Sequence, residues 1–305
     1  MKTFVILFLL AVTLFGCHTG EQKSVKKDTP EKDSVKNKVI KELGDIYLTS
    51  PFDTTGLLTI LFDPDTVINN VALWLPDADA SFNMNVSEDG YCHTNIDTIL
   101  KVPNGKGTNY LVIFSTFEYG SKGEKENYHA CEVNYGMTEL VPQTLVSGET
   151  VNLPDSTMKN AHYTMRYRVT RFLRNFTTAG SWGDGGKISL ANFGDYVLHI
   201  SWEYTGTGLF HNLEEYYSTD DGKLLFSYAS SYTNENSFFY EGGGDEKVIK
   251  RTLEIIPHKI NDWSELKLHC RLTRFDTTQH KLPDSVYTEY YEMNEQGNAY
   301  EKEVK

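Results

Sequence analysis

The chain has 305 residues, with 42 acidic against 29 basic side chains and a formal charge of −13. Such an acidic balance argues against binding a nucleic-acid backbone, which needs clustered Lys and Arg. Aromatic residues make up 13% of the chain, tyrosine foremost, and aromatic side chains suit pleated, half-buried sheet.

In chain order, the first segment is an address. Lys2 supplies a positive start, and Phe4 to Phe15 is apolar apart from Thr13. That run is shorter than the roughly 20 residues needed to span a bilayer. With the small Gly16 before the break, residues 1–16 predict a cleavable export signal. The sequence Leu14-Phe15-Gly16-Cys17 resembles the lipobox of bacterial lipoproteins. The resemblance implies a diacylglycerol on the Cys17 sulfur, cleavage just before that residue and acylation of the new amino end. Two or more acyl chains anchor stably where one binds only marginally. His18, where an aspartate would imply retention at the inner membrane, points to the outer membrane. The partner so implied is the membrane, through covalent lipid at Cys17.

Residues 17–44 are dense in Lys, Glu, Asp and Ser and contain no aromatic residue before Lys41. They predict a disordered tether, because they bury too little apolar area to offset the entropy of ordering.

From residue 45 onward the dominant signal is period-2 alternation, the mark of strands with one buried face. Cys131, Val133, Tyr135 and Met137 share one face; so do Leu198, Ile200 and Trp202; so do Leu266, Leu268, Cys270 and Leu272. Further strands are expected at Leu57–Phe62, Val71–Leu75, Ile96–Val102, Tyr110–Phe117, Lys223–Tyr228, Val248–Ile256 and Val286–Met293. Asp89-Gly90, Asn104-Gly105, Asp221-Gly222 and Gln296-Gly297 fall between these runs and predict tight hairpins. The expected fold is all-β, an antiparallel meander of hairpins closing as a sandwich, an open barrel or an irregular propeller-like array. Two β subdomains are expected, 45–141 and 163–305, with the weakly patterned, proline-containing stretch 142–162 as linker or excursion. The run "MRYRVTRFLRNF" carries both helical and strand spacing and fits neither cleanly. Its arginines 166, 168, 171 and 174 read as surface groups pairing with neighbouring acids.

Apart from Cys17, three cysteines remain, an odd number in an oxidising compartment. Cys270 sits on the apolar face of a regular strand and reads as a small buried hydrophobe. That leaves Cys92 and Cys131 as the disulfide candidate. Imidazole lies beside thiol at Cys92-His93, His129-x-Cys131 and His269-Cys270. Adjacent strand residues point to opposite faces, so no metal is assigned, and no cofactor either.

The glycine-rich loop "TTAGSWGDGGKISL" places Trp182 and Asp184 together as a ligand contact, for instance for sugar. It is not a phosphate-cradling loop, since Ser181 and Ile188 stand where glycine and a hydroxyl are needed. No nucleophile elbow or zinc-protease motif is present. The stretch "NYHACEVNYGMTEL", followed by "GSWGDGGKISLANFGDYVLHISWEYTGTG", is similar to a pattern in exported bacterial proteins, a likeness that assigns no activity. The expectation is a lipid-anchored cell-envelope module that binds a glycan or an envelope protein. The alternatives are a lipid-anchored hydrolase of polysaccharide or peptide, and a passive subunit of an envelope complex.

Overall fold

The computed structural model describes residues 46–76, 87, 90–104, 107–117, 133–147, 162–179, 186–206, 209–234, 247–257, 263–275 and 280–303. The expected export signal, the lipobox-like stretch with Cys17 and the expected tether lie outside these residues. The described residues are nearly all strand, in two antiparallel sheets with one helix.

The first sheet holds β1 (Tyr47–Leu48), β2 (Thr66–Ile68), β3 (Val71–Trp74), β4 (Cys92–Asn104), β5 (Gly107–Phe117), β6 (Val133–Ser147) and β7 (His162–Ala179). Their order is β1-β7-β6-β5-β4-β3-β2. The second sheet is an uninterrupted meander: β8 (Lys187–Asn192), β9 (Tyr196–Gly206), β10 (Leu209–Ser218), β11 (Leu224–Asn234), β12 (Lys247–Ile256), β13 (Glu265–Arg274), β14 (Ser285–Met293) and β15 (Tyr300–Lys302). Gly222 and Gly297 take positive φ in the short β10–β11 and β14–β15 turns, as their turn chemistry requires. Gly90 also has positive φ, but β3 ends at Trp74 and β4 begins at Cys92, so it sits in a long connection and not in the tight hairpin expected there.

Three expectations are corrected. Leu57–Phe62 is not a strand but the end of helix α1 (Thr54–Phe62). The Asp53 carboxylate caps it by accepting from the Gly56 amide at 2.9 Å. Leu57, Leu58, Leu61 and Phe62 are buried together, a spacing that only a helix places on one face. Next, the changeover between sheets falls between Ala179 and Lys187, not across 142–162. Residues 142–147 continue β6, and β7 pairs back along them in the first sheet. Finally, the ambiguous run "MRYRVTRFLRNF" is part of β7. The β6–β7 register shifts twice, between Glu139 and Leu140 and between Tyr135 and Met137. A bulge puts an extra residue on one strand. Val169 and Phe172, three apart, therefore reach the same core, and the strand imitates helical spacing.

One face of the first sheet packs on α1. Phe62 is the centre of that packing, with ring centroids 5.3 Å from Trp74, 5.1 Å from Phe114 and 5.5 Å from Phe172. The opposite face presents Leu111, Ile113, Val133, Tyr135, Met137 and Leu173 to Leu198, Ile200 and Tyr217 of the second sheet. Gly136 lies opposite Phe114, and a Cβ there would collide with the Phe114 ring and the Arg174 carbonyl.

Polar groups join the two sheets at the seam. The Tyr217 hydroxyl of the second sheet lies 2.6 Å from Thr177 Oγ1 of the first and donates to Glu215 at 2.9 Å, which also accepts from Trp202 Nε1 at 3.0 Å. Arg171 bonds Glu139 at 3.0 Å within the first sheet, and reaches Asp220 at 2.6 Å and the Thr219 carbonyl at 2.7 Å in the second. Of the four arginines of β7, Arg171 therefore pairs with acids as the sequence suggested, while Arg166 lies 3.4 Å over the Tyr47 ring.

Candidate functional site

The second sheet carries the polar chemistry. Its face away from the first sheet collects Val197, Tyr216, Leu225, Phe226, Leu266 and Tyr300 into a core of its own, closed at one end by Phe193. Alternation and register decide what shares that face. His199 pairs with Tyr216, Ser201 with Glu214, Glu214 with Tyr228, Arg251 with Cys270 and Leu268 with Glu289. Side chains directly opposite in a ladder stand on one side of the sheet. Polar groups are thus strung from β9 to β15 above an aromatic floor.

At one side of this face, the His199 ring is stacked on Tyr216, with centroids 4.5 Å apart and planes 10° apart. Its Nε2 lies 2.8 Å from Glu214 Oε2, and its Nδ1 lies 3.0 Å from Ser189 Oγ. The other Glu214 oxygen accepts from Ser230 at 2.6 Å. Burial opposes ionisation of Glu214, but hydrogen bonds from His199, Ser230 and Ser201 outweigh it and bring its pKa below the ordinary carboxylate value. Burial raises the Tyr216 and Tyr228 phenols, keeping both protonated.

Toward β15, Glu289 holds Lys302 at 2.5 Å and accepts from the Tyr291 hydroxyl at 2.9 Å. Arg251 donates to the Ala229 carbonyl at 3.1 Å. Burial pushes the neighbouring Cys270 thiol above its ordinary pKa, with the Glu289 charge adding to it, so this cysteine is a poor nucleophile.

Turns of the second sheet line an open cavity of about 240 Å³. Asp195 and Tyr196 line it from the β8–β9 turn, and Ser218 to Asp221 with Lys223 from the β10–β11 turn. Trp263 and the Gln296-Gly297-Asn298 turn complete the wall. Two of its acids are already partnered, Asp220 by Arg171 and Asp221 by Lys223 at 2.6 Å. What remains is aromatic surface, hydroxyls, carboxamides and one further carboxylate, with little net charge. Gly222 gives the β10–β11 turn its shape. It has φ 64°, and a Cβ there would meet Phe176 at 2.5 Å.

Of the residues singled out from sequence, Cys17, Cys131, Trp182 and Asp184 lie outside the described residues. Cys92 is fully buried in the core beneath α1. Cys270 is buried as expected, and its neighbour His269 turns to the other side, 2.7 Å from Glu254 and 3.2 Å from Thr288. Among the described residues, no group of three or more His, Cys, Asp or Glu could hold a metal ion. The sequence reading missed Trp263, Asp195, His199 and Glu214. Alternation did put His199 on the face opposite Leu198 and Ile200, but only the ladder register brings Ser189 and Glu214 beside it.

No protein-family model, curated protein or solved structure matches the chain.

Proposed function

We propose that the protein is a lipid-anchored component of the bacterial cell envelope that binds saccharide in the cavity formed by the turns of the second sheet. The observation that carries the reading is the lining itself. Trp263 and Tyr196 offer rings, while Ser218, Gln296, Asn298 and Asp195 offer the donors and acceptors that hydroxyl-rich ligands require. The lipobox supplies the membrane address, with Cys17 as the lipidated residue.

The test is a glycan array probed with the detergent-purified protein and its Trp263→Ala variant. Binding to a defined sugar class that falls at least tenfold in the variant supports the reading. Equal binding by both proteins, or none to any glycan, refutes it. Mass spectrometry of the mature amino terminus tests the anchor: acyl chains on Cys17 are expected, and an unmodified thiol would refute it.

A further inference from the structure

We propose that Ser189, His199 and Glu214 form a nucleophilic triad that hydrolyses carboxylic esters at the edge of the second sheet, an activity separate from saccharide binding in the cavity. Three adjacent strands supply it. Ser189 lies directly opposite His199 in the β8–β9 ladder, and Glu214 stands on β10, the next strand. The hydrogen bonds run in one chain: Ser189 Oγ to His199 Nδ1 at 3.0 Å, then His199 Nε2 to Glu214 Oε2 at 2.8 Å. The order is that of a serine nucleophile, an imidazole base and an orienting carboxylate, with the two ring nitrogens exchanged relative to the familiar triad, in which Nε2 meets the serine and Nδ1–H the carboxylate.

The surroundings fit those roles. Ser189 is exposed and open to substrate, whereas the His199 and Glu214 side chains are 21% and 14% exposed and so held in place. The ring stack on Tyr216 fixes the imidazole plane. Ser230 occupies the second Glu214 oxygen, leaving the first for His199. With Nε2–H donating to the carboxylate, Nδ1 keeps its lone pair and accepts the Ser189 proton. Strand β8 is the last in its sheet, with no strand hydrogen-bonded to its outer edge among the described residues.

The reaction balances without a cofactor. Ser189 Oγ adds to the ester carbonyl carbon as its proton passes to His199 Nδ1. The acyl–oxygen bond breaks, the leaving alkoxide takes that proton, and an alcohol departs from acyl-Ser189. Water then attacks the acyl group, giving its proton to Nδ1, which returns it to Ser189 Oγ as the carboxylic acid leaves. Glu214 acts through His199 and is a positioning residue.

The experiment treats the full protein with a fluorophosphonate probe, locates the label by peptide mass spectrometry, and follows p-nitrophenyl acetate hydrolysis. Label on Ser189 is expected, with turnover abolished in Ser189→Ala, a variant at an exposed site whose melting temperature should not change. His199→Gln should slow turnover about 10²- to 10⁴-fold, the usual contribution of a general base. Glu214→Gln should lower kcat with KM unchanged. Absence of label at Ser189, or turnover unaltered in Ser189→Ala, overturns the proposal. Neither result touches saccharide binding, because Ser189 does not line the cavity.

Discussion

Strand β5 of the first sheet is buried without a break from Leu111 to Phe117, whereas β13 of the second alternates, with Leu266, Leu268 and Cys270 buried and His269 exposed. The first sheet lies between α1 and the second sheet, so both its faces face apolar groups and its sequence approaches a continuous apolar run. The polar side chains it buries are matched to one another, as where Trp74 Nε1 donates to Thr94 at 2.9 Å and Thr94 meets Thr116 at 2.7 Å. In the second sheet, Leu198, Ile200 and Tyr217 meet the first sheet, while the other face mixes the buried Leu266, Leu268 and Cys270 with His199, Glu214, Arg251, Glu289 and Lys302. The difference separates a sheet packed between apolar layers from one whose outer face carries partly covered polar networks beside its own core.

That contrast can be tested, and the largest effect is expected in the scaffold. Phe114→Ala should destabilise by about 3–5 kcal/mol, because Phe114 fills the space between α1 and the sheet and covers Gly136. Chemical denaturation measures it, and a loss under 1 kcal/mol would break the picture of a tightly packed first sheet.

Alkaline pH reaches both regions. Burial pushes the Tyr135 phenol up to about 12, with the Asp97 charge adding to it, and also raises Tyr216, Tyr217, Tyr291 and Tyr300. A phenol raised above its unfolded value stabilises fully below pH 10, and that contribution is lost as pH rises through the folded pKa. At about 1.4 kcal/mol per unit, Tyr135 alone gives up about 2–3 kcal/mol. Absorbance at 295 nm should show these tyrosines ionising late and together with unfolding. Early, independent ionisation would mean they are not buried.

Glu215→Ala at the seam should cost about 2 kcal/mol, by leaving the Trp202 and Tyr217 donors without their acceptor. A smaller effect is expected at the cap of α1, where Asp53→Ala should cost about 1 kcal/mol. Thermal melts of the two variants rank them, and the reverse order would contradict the weight given to the seam.

How far the sequence could be read follows the same division. Strands with one polar face declared themselves through alternation, and β9 and β13 lie where the period-2 pattern puts them. Gly222 and Gly297 likewise marked real hairpin turns. Strand β7 hid its period because its bulged pairing with β6 brings Val169 and Phe172 onto one face. Helix α1 was missed because its nine residues include four buried apolar side chains that look like a short buried strand; the cap Asp53 and the following Pro64 were the available signals. The site was least legible. Ser189, His199 and Glu214 come from three strands and meet through register, while the cavity is assembled from turns far apart in sequence. Nothing in local composition specifies such long-range pairings.

The measurement closest to the central claim is amide hydrogen exchange of the protein with and without the oligosaccharide selected by the array. The account predicts new protection at residues 195–196, 218–223, 263 and 296–298, with β4 to β6 unchanged. Protection concentrated in the first sheet, or a bound oligosaccharide that leaves these turns unprotected, would contradict it.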